Sequence, residues 1–265
     1  MMITIFTIAG SAVYAAEIPV SDQDQLITSN DWTEISNLQD EMKKEEPDAT
    51  IDYDKALKVY VDCNLIKLQT ADTKKLTSAL ESANYVWVIP FKMEKTYGMF
   101  TVAKGLPLRE EAKSVLTKAE QEEVKNHAGK WMITEIAEHT VEPYYDILLE
   151  KREALSDCTR VVLVGSQPGM RQPVALGMDD ETARIWISLG YQYPVMEKIP
   201  ETQNVESGVY SFDSVAEISD TYIEDSEVST GVGVQSRSSM KYVAGIGIVS
   251  VSYTHLRAHE TDQYL

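Results

Sequence analysis

The sharpest chemical spacing in this chain is His255-Leu-Arg-Ala-His259. On a helix, residues four apart share a face, so both imidazoles could reach one zinc ion, as in the HExxH arrangement. The intervening residues lack the glutamate that would serve as general base. A second cluster is Glu135, Glu138, His139 and Glu142. If this stretch is helical, Glu135, His139 and Glu142 are neighbours and could take a divalent metal, so Glu135, Glu138 and His139 are candidate metal ligands. A solvated face of glutamates around one histidine is the plainer reading. In "GSQPGMRQPVALG", residues 165–177, Arg171 could pair with a ligand carboxylate. That loop lacks the GxxxxGK[ST] pattern of a phosphate loop, and a structured turn is its default reading. Cys63 and Cys158 have no evident histidine partner, and neither GxSxG nor SxxK occurs. No catalytic set is legible, and no cofactor is expected.

The charge balance narrows the partners. A formal net charge of −18 repels phosphate backbones, so a nucleic-acid partner is not expected. Residues 1–16 carry no charge, and Ile3–Val13 has the length of a signal-peptide apolar core. Val13-Tyr14-Ala15 places small residues at the −3 and −1 positions of a cleavage site, although no Lys or Arg precedes the apolar stretch. Export from the cytoplasm is the expectation. In that setting Cys63 and Cys158 either pair as a disulfide or remain two buried thiols.

The elements that must position these residues follow from periodicity. Trp32, Ile35, Leu38 and Met42 share a helix face in a polar lead, residues 17–50. Residues 56–62 alternate as a strand, and 70–84 read as a helix capped by Thr70 or Asp72. "YVWVIPFKM" and "YGMFTVAKG" flank Glu94-Lys95-Thr96 as a hairpin. Residues 107–130 are helical in composition, with a second start at Thr117. Residues 131–140 fit either a strand or a helix, and 141–157 fit a helix. "RVVLVGS", "QPVALGM" and "TARIWISLGYQYP" complete a three-stranded meander. The fold class expected is therefore α+β, over residues 51–200: an antiparallel sheet of about five strands, hairpin, helices, then meander, with helices packed on it. The element order resembles that of PAS and Cache sensor domains, which implies one five-stranded sheet and a small-ligand site.

Residues 201–240 change character. From Glu197 to Met240 there are nine Asp and Glu against Lys198 and Arg237, which reads as an extended acidic tether. The alternative is a further pair of packed elements, for example a strand at Gly208–Phe212. "YVAGIGIVSV", residues 242–251, is apolar and uncharged like the start of a membrane helix, at about half the ~20 residues needed to cross a bilayer. "SYTHLRAHETDQYL", residues 252–265, resembles a peptide that recurs at the ends of unrelated protein predictions from metagenome assemblies and that arises from sequencing-adapter DNA joined to a gene fragment. The resemblance implies that the natural chain continues differently after about Val251. It also removes His255 and His259 from any functional argument. The layout expected is an exported domain of a bacterial cell envelope, anchored in the membrane at its C-terminal side, with a protein or small-molecule ligand outside the cell. An extracytoplasmic small-ligand sensor is the alternative, and a metal-dependent hydrolase a more distant one.

Overall fold

The structure is a computed structural model that describes residues 18–223, apart from 140–141, 166, 168–169, 171–172, 191–192, 194 and 201–203. Its organising element is a ten-stranded mixed sheet, not the five-stranded antiparallel sheet expected from the element order. The strands are β1 (Thr50–Ile51), β2 (Leu57–Val61), β3 (Asn84–Lys92), β4 (Tyr97–Lys104), β5 (Trp131–His139), β6 (Arg160–Val164), β7 (Val174–Met178), β8 (Ala183–Ser188), β9 (Asn204–Glu206) and β10 (Val209–Ser211). They lie in the order β5-β4-β3-β2-β6-β7-β8-β10-β9, with β1 beside the far end of β3. Every pairing is antiparallel except β2 with β6. One parallel junction thus fuses two antiparallel halves, the first built around the β3–β4 hairpin and the second around the meander.

That junction is short. Val59 pairs with Leu163 and Tyr60 with Val164. Toward their N-terminal ends β2 and β6 no longer pair with each other, and the polar lead fills the gap. Val20 bridges Val161 on one side, and Gln25 bridges Leu57 on the other. The amide of Val161 donates to the Pro19 carbonyl (2.8 Å), and that of Leu26 donates to Ala56 (3.1 Å). Residues 18–26 are therefore built into the sheet, which satisfies backbone groups that a buried split would otherwise leave unpaired.

Alternation along the strands sorts side chains onto two faces. Leu57, Val59, Val86, Val88, Val161, Leu163 and Ile187 meet one face. It is covered by α5 (Tyr144–Glu150) through Ile147 and Leu148, and by Ile18. The other face divides in two. Under β6–β8, Val162, Leu176 and Trp186 pack on Leu76 and Leu80 of α3 (Thr73–Glu81). Under β3–β5, Trp87, Phe91, Phe100 and Ile133 pack on Leu26, Ile35 and Met42 from the lead, which carries α1 (Trp32–Ile35) and α2 (Gln39–Glu45). Phe91 lies across Gly98 on the paired strand, where a side chain would strike its ring.

Local chemistry explains the helix starts. Asp72 caps α3 by accepting from the amides of Lys74 (3.0 Å) and Lys75 (3.1 Å). Thr117 and Glu120 form a capping box at α4 (Lys118–His127), so the helical run 107–130 breaks at Thr117.

One open alternative is decided, and one expectation is corrected. Residues 131–139 are a strand, so Glu135 and His139 stand roughly 13 Å apart along an extended backbone and do not share a helix turn. Residues 204–223, expected as tether, instead continue the fold. β10 extends the sheet from β8, with Val209 opposite Ile187, and Gly208 makes the preceding turn at φ +75°. α6 (Phe212–Ile223) then buries Phe212, Val215 and Ser219 while Asp213 and Glu217 stay exposed. Phe212 stacks on Trp186 with ring centroids 5.6 Å apart. The acidic composition describes the outer face of a packed helix. Residues 224–240 lie outside the described residues.

Candidate functional site

The gap between β2 and β6 holds a buried charge network. Asp24 ends a short 3-10 turn (Asp22–Asp24), and its side chain is 3% exposed. Its carboxylate accepts from Ser21 Oγ (2.6 Å), Tyr60 Oη (2.7 Å) and an Arg160 guanidinium nitrogen (3.1 Å). Lys58 Nζ lies 3.7 Å away. Burial alone would raise the pKa of Asp24. The bonds from Ser21 and Tyr60 and the positive charge of Arg160 outweigh it and hold the carboxyl below its usual range. Burial, and then the bond to Asp24 and its negative charge, push the Tyr60 hydroxyl far above its ordinary value against the opposing pull of Arg160.

Lys58 is there because of the strand period. Leu57 and Val59 point to one apolar face, so Lys58 and Tyr60 must point to the other, in a strand covered on both sides. The Lys58 ammonium sits 4.6 Å from the Tyr85 ring centroid, 5.2 Å from Trp87 and 5.8 Å from Tyr60. These rings supply cation–π attraction where water is excluded. Burial still lowers its pKa against the pull of Asp24 and Asp31. Asp31 completes the set by accepting from Tyr85 Oη (2.9 Å) and Trp87 Nε1 (3.0 Å).

Asp31 immediately precedes Trp32, and this links the buried network to the surface. An open groove of about 550 Å3 lies beside it. Trp32 and Tyr53 form its aromatic corner, edge to face at 5.2 Å and 67°. Ile27 and Ile51 are apolar walls, and Thr50, Asp52, Asp54 and Lys92 line the rest. Each wall is anchored. Asp31 fixes the start of α1. The Leu26–Ala56 bond ties the Ile27 segment to the chain leaving Tyr53, and the Asp52 amide donates to Pro90 on β3 (2.9 Å). Tyr53 Oη reaches Met42 Sδ (3.7 Å) from beneath.

The residues singled out from the sequence lie elsewhere. Glu135 is on the outermost strand, opposite Thr101 on β4, whose hydroxyl is buried without a partner among the described residues. Burial pushes the Glu135 carboxyl up to about 7. The backbones of Glu138 and His139 pair with Gly98 and Tyr97. Among the described residues, no three His, Cys, Asp or Glu side chains are placed to hold a metal ion. Arg171, His255 and His259 lie outside the described residues, as do residues 1–16 and 241–251. Among the described residues no helix is long and apolar enough to cross a membrane. Cys63 and Cys158 are free thiols buried in clusters on opposite faces of the sheet, which rules out the disulfide in this fold. Burial raises both to about 11, so they remain protonated near neutrality.

Periodicity placed Trp32 on a helix face, but it did not mark Asp24, Asp31, Lys58, Arg160 or the groove acids. One signal was available. A lysine at an inward slot of an otherwise apolar strand requires a buried counter-charge.

Two outcomes follow for stability. Asp24→Asn leaves Lys58 and Arg160 without their shared anion and should cost about 3 kcal/mol in urea unfolding. Ser21→Ala, which removes one neutral donor, should cost about 1 kcal/mol. Equal, small losses would show that the network carries no such weight. For Glu135, the folded pKa of about 7 exceeds its ordinary 4.5, so between these values the native state holds a proton that the unfolded chain has released. Its contribution to stability therefore falls as pH rises from 4.5 to 7 and levels off above. Glu135→Gln should flatten this decline and stabilise the protein at pH 8 by up to about 3 kcal/mol. An unchanged pH profile would contradict a protonated Glu135.

A scan against protein-family models, a search of curated proteins and a search of solved structures each returned no match to this chain.

Proposed function

We propose that this chain is an exported, membrane-anchored binding domain, and that the Trp32–Tyr53 groove is its binding site. One observation carries the reading: a concave surface of ligand-sized volume beside Trp32, whose neighbour Asp31 is held by part-buried hydrogen bonds from Tyr85 and Trp87. A wall that is already in place costs little ordering entropy when a ligand arrives. The groove combines an aromatic corner and two isoleucines with a few polar groups at the rim, the mixture that recognition sites use. The uncharged segment Met1–Ala16 supports export, and the apolar run Tyr242–Val251 supports membrane attachment.

Binding is tested by titrating the full chain with a panel of cationic, anionic and neutral fragments, followed through the indole N–H resonance of Trp32, assigned with Trp32→Phe. At least one class should shift Trp32 while the resonance of buried Trp186 stays in place. A panel that leaves Trp32 unmoved at millimolar concentration overturns the groove as a binding site. Export is tested separately by fusing residues 1–20 to a reporter that is active only outside the cytoplasm. Activity is expected, and its loss on Ile5→Lys should follow. A reporter that stays inactive refutes export.

A further inference from the structure

We propose that the groove takes a basic side chain, arginine foremost, presented by a polypeptide. This rests on the groove being the binding site and specifies what it selects. The argument begins with the two carboxylates at its rim. Asp52 lies 3.7 Å from Lys55, but Lys55 has a nearer partner in Asp146 on α5 (2.8 Å). Asp54 makes no hydrogen bond or ion pair among the described residues and is exposed. Both therefore keep acceptor capacity beside the Trp32–Tyr53 corner. Carboxylates next to aromatic faces suit a guanidinium, which donates in a planar fork and also stacks on rings. Ile27 and Ile51 would cover the aliphatic stem of such a side chain.

Among the described residues Lys92 is the one cation lining the groove, and its Nζ lies 5.7 Å from the Tyr97 ring centroid. It opposes a cationic ligand and favours a single incoming charge over a run of them. The protein as a whole, at −18, attracts basic partners. A polypeptide source fits the groove's openness. It is lined by Thr50 and Ile51 of β1, an extended segment along which an extended chain would lie.

The test uses the full chain and two capped tripeptides, acetyl-Leu-Arg-Leu-amide and its citrulline analogue, which is nearly isosteric and uncharged. Affinity is read from the Trp32 indole resonance. The arginine peptide should bind at least tenfold more tightly than the citrulline peptide, and 0.5 M NaCl should erase most of the difference. Asp54→Asn, at an exposed position that leaves the fold intact, should weaken the arginine peptide several-fold, and Asp52→Asn/Asp54→Asn further. Lys92→Met should tighten it. Equal binding of the two peptides, or an arginine affinity unchanged by the double substitution, overturns the basic-side-chain proposal while leaving the groove a binding site. No binding by either peptide also overturns it. Only the failure of every class in the fragment panel removes the groove itself.

Discussion

A carboxylate with almost no access to water, Asp24, stands where the two halves of the sheet meet. β2 and β6 are parallel and pair over a short stretch, so their N-terminal ends leave a gap that must be filled and hydrogen-bonded. The lead does this by entering the sheet as a wedge. Its charged residue is neutralised by Lys58 from one half and Arg160 from the other. Breaking either contact would leave a charge in a low-dielectric interior, where the cost is severe. The register of the lead, and of everything the lead carries, therefore depends on this pairing.

The apolar clusters and the polar network divide the work. Burial on both faces supplies most of the driving force, but apolar contacts alone tolerate alternative packings. The bonds from Tyr60, Tyr85 and Trp87 to Asp24 and Asp31 accept one arrangement. Trp32 and the 3-10 turn at Tyr53–Lys55 inherit that precision, which is why a surface groove can have fixed walls though its residues are only partly buried. Glu135 shows the contrast. It lies on an end strand with no ion pair among the described residues, and burial raises its pKa to about 7, which favours the protonated form below that pH.

Features decided by near neighbours in the chain were legible. The β3–β4 hairpin follows from two β-rich runs around a polar turn. Asp72 and Thr117 cap helices through amides two or three residues away. The size of the sheet was not legible, because joining β2 to β6 brings together segments about a hundred residues apart, and alternation within each strand is the same whatever the partner. The acidic stretch misled for a related reason. Composition reports what the outside of α6 carries, whereas folding responds to Val209, Phe212 and Val215, few in number but correctly spaced.

Lys58 marks the boundary between the two kinds of information. The sequence by itself determined that residues 57–61 form a strand and that Lys58 and Tyr60 share a face. Only the tertiary structure decided that Asp24 and Asp31 stand near that lysine, and hence that Trp32 meets Tyr53 across an open groove. The physical reason is range. Backbone sterics and side-chain period act over a few residues, while a buried charge can be neutralised by any opposite charge the fold brings within a few ångströms.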